Sequence, residues 1–106
     1  MKKNSSITKI KELLTPIFQK CKVKKAFLFG SYAIGKETRK SDLDLMIIMD
    51  TDKRFFERYD QFDEIYSTFK GYAVDILIYT PEELEKISHR HFIKDILCKG
   101  KIIYEH

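Results

Sequence analysis

Residues 27–45 read FLFGSYAIGKETRKSDLDL, and this stretch decides the fold that the sequence predicts. It starts with an apolar strand that runs into Gly30-Ser31, and it ends on the alternating pattern Asp42-Leu43-Asp44-Leu45. Alternation with a period of two predicts a second strand at about residues 43–49, in which the leucines face a core and both aspartates share the other face. Two like charges held side by side repel each other, so the pair indicates a bound cation.

A third carboxylate interrupts another apolar segment further along the chain. Asp75 lies within residues 72–79, which predict a third strand. An aspartate among branched aliphatic residues is costly to bury without a partner, and a shared sheet would place it beside the first two. Carboxylate and phosphate oxygens are the ligands that magnesium prefers. Asp42, Asp44 and Asp75 are therefore predicted as metal ligands and catalytic residues of a two-magnesium site, with Asp75 also a candidate general base.

The turn after the first strand has the features of a phosphate-binding site. Gly30 lets the backbone approach an anion closely. The N–H groups of the following turn and the Ser31 hydroxyl can donate hydrogen bonds to phosphate oxygens. Gly30 and Ser31 are therefore predicted to bind the phosphates of a nucleotide. Three cations in the next loop either add phosphate contacts or stay solvated: Lys36, Arg39 and Lys40.

The same glycines also suggest a different phosphate-binding loop. Residues 30–36 spell G-x-x-x-x-G-K after a strand, which is close to the P-loop of another ATPase class. That loop requires Ser or Thr at the next position to bind magnesium, and Glu37 stands there instead. A chain of 106 residues is also small for a P-loop fold, so this alternative is disfavoured.

The remaining segments predict helices between the strands. A first helix has candidate N-caps at residues 4–6 and apolar spacing as far as Cys21, and Pro16 either kinks it or starts a second short helix. A second helix carries an aromatic stripe that is expected to pack in the core: Phe55, Tyr59, Phe62, Tyr66 and Phe69. Thr80-Pro81 begins a third helical region at 81–98, in which His89 marks a candidate break.

The order of these elements predicts the fold class. A strand at about residues 24–29 comes first and a short strand at 101–104 comes last. Strands that alternate with helices predict an α/β (α+β) fold, with a small mixed β-sheet flanked by helices. The connection between the first two strands is too short for a helical crossover, so they are expected to be antiparallel or offset neighbours. The chain is expected to form a single domain, residues 1–106.

Composition narrows the class of protein further. The net charge of +4 fits an anionic ligand or nucleic acid, and it fits a solvated surface equally. Two cysteines without metal-ligand spacing predict a reducing, cytoplasmic setting. The longest apolar runs are far too short to span a bilayer, so no contact with a membrane is expected.

The motif residues together resemble the signature of the minimal nucleotidyltransferase (MNT) family, within the superfamily typified by DNA polymerase beta. The matching string is Gly30-Ser31-x-Ala33-x-Gly35-(five residues)-Ser41-Asp42-Leu43-Asp44-Leu45, with the third acid at Asp75. The resemblance implies a polymerase beta-like nucleotidyltransferase fold, two magnesium ions and ATP as substrate. One departure is Ile34, where many relatives carry an arginine.

The resemblance also implies a partner. Members of this family often pair with a helical HEPN toxin and act as its antitoxin, in some systems by transferring AMP to a tyrosine of the toxin. The leading hypothesis is therefore a magnesium-dependent nucleotidyltransferase that transfers AMP from ATP to a protein or other acceptor, as the antitoxin of a toxin–antitoxin pair. The alternative is a non-catalytic antitoxin that neutralises a HEPN-type partner by direct association. A third hypothesis, nucleic-acid binding through the basic clusters, has no recognisable motif to support it.

Overall fold

The computed structural model describes residues 2–36 and 41–106, with side chains described from Ile7 onward. Within these residues, four strands form one mixed sheet in the order β3-β2-β1-β4. β1 is antiparallel to both β2 and β4, whereas β2 and β3 are parallel. This confirms the predicted mixed sheet and the antiparallel pairing of the first two strands. The strand bounds are Lys25–Phe29 (β1), Leu43–Ile48 (β2), Val74–Tyr79 (β3) and Lys101–Glu105 (β4).

Helices cover both faces of the sheet. On one face, α1 and α2 bury Leu14, Phe18 and Ile65 against the inward leucines of β2. On the other face, α3 and α4 enclose a smaller cluster that includes Met46 and Ile96. The helix bounds are Lys2–Lys20 (α1), Asp63–Thr68 (α2), Pro81–Ile87 (α3) and His91–Lys99 (α4), and 3₁₀ segments span Gly30–Tyr32 and Phe55–Phe62.

The first helix departs from its prediction at its start and at its proline. α1 begins at Lys2, so residues 4–6 lie inside the helix and are not its caps. A cap contributes only about 1 kcal/mol, which is too little to fix where a helix begins. Pro16 lies inside α1, and the helix continues to Lys20 as one element. The missing hydrogen bond is tolerated because Leu14, Ile17 and Phe18 are buried around it.

The aromatic stripe was predicted correctly only in part. Phe62 and Phe69 are buried and Tyr59 packs against the same core, but Phe55 and Tyr66 are exposed. The cause is the 3₁₀ segment Phe55–Phe62, which has about three residues per turn. Residues spaced for 3.6 residues per turn therefore do not all face the core along this segment.

The last helical region forms as the sequence indicates. It splits into α3 and α4 around His89, and α3 begins with a capping box between Thr80 and Glu83. The Glu83 amide donates to the Thr80 hydroxyl at 3.2 Å, and the Thr80 amide donates to the Glu83 carboxylate at 2.9 Å. β4 follows directly after Gly100. A local capping signal therefore fixes the start of α3, whereas β4 is held by its pairing with β1.

A buried guanidinium joins the 3₁₀ segment to α3. Arg58 is only 5% exposed, and it donates to both carboxylate oxygens of Glu83, at 2.6 and 2.9 Å. It also donates to the Ile78 carbonyl at 3.2 Å, on the outer edge of β3. The hydrogen bond from Arg58 is the main reason that the pKa of Glu83 falls to about 2. This pair fixes the elements beside the edge strand.

We predict that Glu83→Gln lowers the free energy of unfolding at pH 7 by about 1–3 kcal/mol, because it leaves a buried guanidinium without its counter-charge. The Glu83 pKa is lower in the folded state, so its stabilisation is complete above about pH 4.5 and is lost as pH falls toward 2. Urea denaturation between pH 3 and 7 should show the two proteins converging at the acidic end. Glu82→Gln, in the same turn but exposed, is the matched control; equal losses in both variants would contradict the prediction.

Candidate active site

The sheet brings the three predicted carboxylates together. Asp42, Asp44 and Asp75 each place one oxygen within 4.8 Å of the others. Asp44 and Asp75 are register partners across the parallel β2–β3 pair, and Asp42 lies two residues before Asp44 on the same face. Asp42 and Asp75 are exposed and Asp44 is half-buried. The cluster of these three residues is therefore exposed to solvent at Asp42 and Asp75 and partly covered by the protein at Asp44.

Repulsion within the cluster alters the titration of its inner member. The pKa of Asp44 rises to about 6, first because the carboxyl is partly buried and then because Asp75 and Asp42 are negative. A hydrogen bond with Asp75 adds to the same shift. A bound cation would relieve this repulsion, and carboxylate oxygens are ligands that divalent magnesium accepts.

Gly30 packs directly against the cluster. It follows β1, in which Phe29 is the register partner of Asp44. A Cβ at position 30 would collide with the Asp44 carboxylate, and the backbone has φ +75°, a conformation that favours glycine. The turn thus requires glycine for two separate reasons, and it lets the main chain reach the acids.

The loop after Gly30 contains Ser31, the second residue predicted to bind phosphate. Only Gly30–Tyr32 forms a 3₁₀ turn, and the Lys36 amide donates to the Ser31 carbonyl at 2.9 Å. Ser31 is half-buried and Lys36 is exposed, while Arg39 and Lys40 lie outside the described residues. A P-loop would continue into a helix after the strand, so the observed single turn argues against that alternative.

A cavity of about 650 Å³ adjoins the acids, within the size range of small-molecule sites. Gly30, Asp44 and Asp75 line one end. The other wall comes from α4 and the turn after β1, and it includes Phe92, Asp95 and Lys99. These α4 residues were not predicted as part of the site, because they lie far from the motif along the chain. Their spacing of three and four residues was the available signal, since it places them on one side of a helix.

None of the helices in residues 2–36 and 41–106 combines the length and the apolar character needed to cross a bilayer.

We predict that Gly30→Ala weakens magnesium binding because its methyl group would displace the Asp44 carboxylate. Gly71→Ala is the matched control, since Gly71 also has positive φ (+93°) but nothing lies within 4 Å of its added methyl. Both variants should lose about 1–2 kcal/mol of stability from backbone strain. Isothermal titration with MgCl₂ should show a loss of affinity for Gly30→Ala alone; a similar loss in Gly71→Ala would assign the effect to general destabilisation.

We predict that Asp44→Asn stabilises the metal-free protein at pH 8. The pKa of Asp44 in the folded protein is about 6, above its ordinary value of 3.8, so its contribution to stability is most favourable below pH 3.8 and is lost as pH rises through 6. Removing the charge should therefore raise the melting temperature in EDTA at pH 8 and change it little at pH 4. The exposed Asp52→Asn is the control. A lower melting temperature for Asp44→Asn at pH 8 would show that the charge is not destabilising.

Comparisons with known proteins agree with this geometry. Residues 9–106 match the family described as Polymerase beta, Nucleotidyltransferase. A protein of Methanocaldococcus jannaschii, named as a candidate protein adenylyltransferase, is 30% identical over 97 residues, which cover 90% of this chain and 94% of that protein.

Solved structures share the fold at lower identity. A toxin–antitoxin structure with AMP-PNP superposes with a TM-score of 0.66 and 17% identity, covering 91% of this chain and 73% of the other. A structure of tri-AMPylated HEPN toxin of Shewanella oneidensis in complex with MNT antitoxin gives a TM-score of 0.58 and 17% identity, covering 98% and 73%. The sequence matches over residues 9–106 and over nine-tenths of the chain show that this protein belongs to the polymerase beta nucleotidyltransferase family.

Proposed function

We propose that this protein transfers AMP from ATP to a hydroxyl group of a protein acceptor, in a magnesium-dependent reaction. The observation that carries the proposal is the convergence of three carboxylates beside Gly30 at one end of a cavity. Membership of a nucleotidyltransferase family supports the reaction class, and the M. jannaschii relative named as a candidate protein adenylyltransferase supports the choice of acceptor.

The donor set of the cluster fits magnesium. Asp42, Asp44 and Asp75 offer hard carboxylate oxygens within 4.8 Å of one another. The raised pKa of Asp44 reflects its partial burial and, after that, the negative charges of its two neighbours. We assign these three side chains as ligands of two magnesium ions. When bound, the ions neutralise the charge of the carboxylates and of the triphosphate.

The remaining chemistry is assigned to this chain's own residues. Gly30 and Ser31 bind the phosphates through the backbone of the turn and the serine hydroxyl. The acceptor oxygen forms a bond to the α-phosphorus, the bond from that phosphorus to the oxygen bridging to the β-phosphate breaks, and pyrophosphate leaves. Asp75 accepts the proton of the acceptor hydroxyl. Its exposed carboxylate lies on the side of the cluster that an acceptor can reach.

We further propose that the acceptor is a tyrosine of a HEPN-type helical partner, and that the pair works as a toxin–antitoxin system in the cytoplasm. The support is the shared fold with toxin–antitoxin structures, one of which contains an AMPylated HEPN toxin. The cluster is open on the Asp42 side, so a partner protein has room to present its hydroxyl group. The free cysteines Cys21 and Cys98 suit a reducing compartment.

We predict that Asp42→Asn lowers AMP transfer about 100-fold or more, because loss of a metal ligand removes several kcal/mol of transition-state stabilisation. The measurement is the label from α-phosphate-labelled ATP that is incorporated into a purified HEPN-type partner protein in the presence of MgCl₂. Asp42 is exposed, so the change should leave folding intact, and the exposed Asp52→Asn is the control. Absence of label with the wild-type protein, or equal labelling by Asp42→Asn, would refute the proposal.

A second candidate is a non-catalytic antitoxin that acts by covering its partner. Two exposed aromatic rings favour it: Phe56 is 83% exposed, and Phe55 is 40% exposed. Phe55 contacts Tyr79, at the end of β3 opposite to Asp75, so an interface there would not need the acids. Under this alternative Asp44→Asn still protects cells from the toxin, whereas loss of protection in that variant favours catalysis.

A further inference from the structure

The lining of the cavity beside the acids is of two chemical kinds. Gly30 and the carboxylates of Asp44 and Asp75 form one part, the acid end. Most of the remaining lining residues are apolar and form the apolar wall, which includes Phe29, Ala33, Ile34, Leu77, Phe92 and Ile96. A ligand suited to this lining brings a bound cation to the carboxylates and presents a flat or apolar group to the apolar wall.

Two exposed apolar side chains come from separate elements that form the apolar wall. Phe92 is 56% exposed at the start of α4, and Ile34 is 55% exposed in the turn after β1. The core contacts of α4 are made by Ile93 and Ile96, so Phe92 is not needed to bury this helix. The ring of Phe29 meets Phe92 edge-to-face, with centroids 5.9 Å apart, and this contact supports the Phe92 ring from one side.

A polar pair lies on the same wall. Asp95 and Lys99 both line the cavity, and their charged atoms are 3.3 Å apart. Lys99 is the one lysine or arginine among the described residues that line it. A carboxylate accepts hydrogen bonds and an ammonium donates them, which matches the mixed donor and acceptor edge of a nucleobase. A tyrosine side chain of an acceptor protein has a single hydroxyl group, so it matches the separate donor and acceptor of this pair less well than a nucleobase does.

We propose that Phe92 and Ile34 form the base subsite of the nucleotide, holding the faces of the heterocycle while Asp95 and Lys99 meet its polar edge. The inference rests on the proposed function, because it places the triphosphate at the acid end of the same cavity. Phe92 is then a binding residue that contacts the substrate far from the reacting phosphorus.

The test compares two ligands that differ in the base. Isothermal titration with MgCl₂ measures the affinity for ATP and for inorganic tripolyphosphate, which has no base. Phe92→Ala should weaken ATP binding about tenfold, the effect typical of losing one aromatic ring from a base. It should leave tripolyphosphate affinity unchanged. Phe92→Tyr should retain ATP binding, and Ile34→Ser should repeat the loss from the opposite face.

Phe56→Ala is the matched control, since it removes an even more exposed phenylalanine from another element. If Phe92→Ala binds ATP as the wild type does, the base subsite is refuted and the proposed transfer reaction stands. If the variant instead raises only the KM for the acceptor protein, the wall binds the acceptor and the inference is again refuted. If the wild type binds neither ligand, the proposed function and the base subsite fail together.

Discussion

The register of β2 against its two neighbours is the constraint on which the site depends. Pairing with β3 sets Asp44 beside Asp75, and pairing with β1 sets Asp44 beside Phe29, one residue before Gly30. A shift of one residue would turn Asp44 toward α1 and α2 and turn the leucines of β2 toward α3 and α4. That shift is disfavoured because Leu43, Leu45 and Ile47 fill the face toward α1 and α2, where the charged Asp44 would then be buried. The packing of the apolar side chains of β2 thus aligns the acids.

The clustering of the three carboxylates, which the proposed function requires, lowers the stability of the fold. The pKa of Asp44 is raised first by its partial burial and then by the negative charges of Asp75 and Asp42. A chain of 106 residues has little surplus stability to offset this repulsion. The sheet accommodates it because Asp42 and Asp75 stay exposed, so water screens much of their charge. Of the three, only Asp44 is partly buried, and it lines the cavity together with Asp75.

The sequence predicted those parts of the fold that rest on short-range patterns. Alternation along β2 located the shared face of Asp42 and Asp44, and the short connection before it indicated the antiparallel pairing with β1. Features set by tertiary packing were not accessible in this way. Local periodicity did not distinguish the 3₁₀ segment Phe55–Phe62 from an α-helix, so the exposure of Phe55 was missed. The roles of the acids follow from the family and the chemistry, and they remain predictions.

The residues of the cavity wall could not be predicted from the sequence, for a different reason. Phe92, Asp95 and Lys99 look like ordinary surface residues in the sequence, and only the packing of α4 against the sheet brings them to the acids. That packing uses Ile93 and Ile96, so one short helix both completes the second core and shapes the cavity. Asp44 lies on the central strand β2, Asp42 lies just before it and Asp75 lies on the edge strand β3. Part of the cavity wall, in contrast, comes from the nine-residue helix α4 near the end of the described chain. Substitutions of Phe92, Asp95 or Lys99 can therefore alter which ligand the cavity binds. They would leave intact the strand register that aligns the carboxylates.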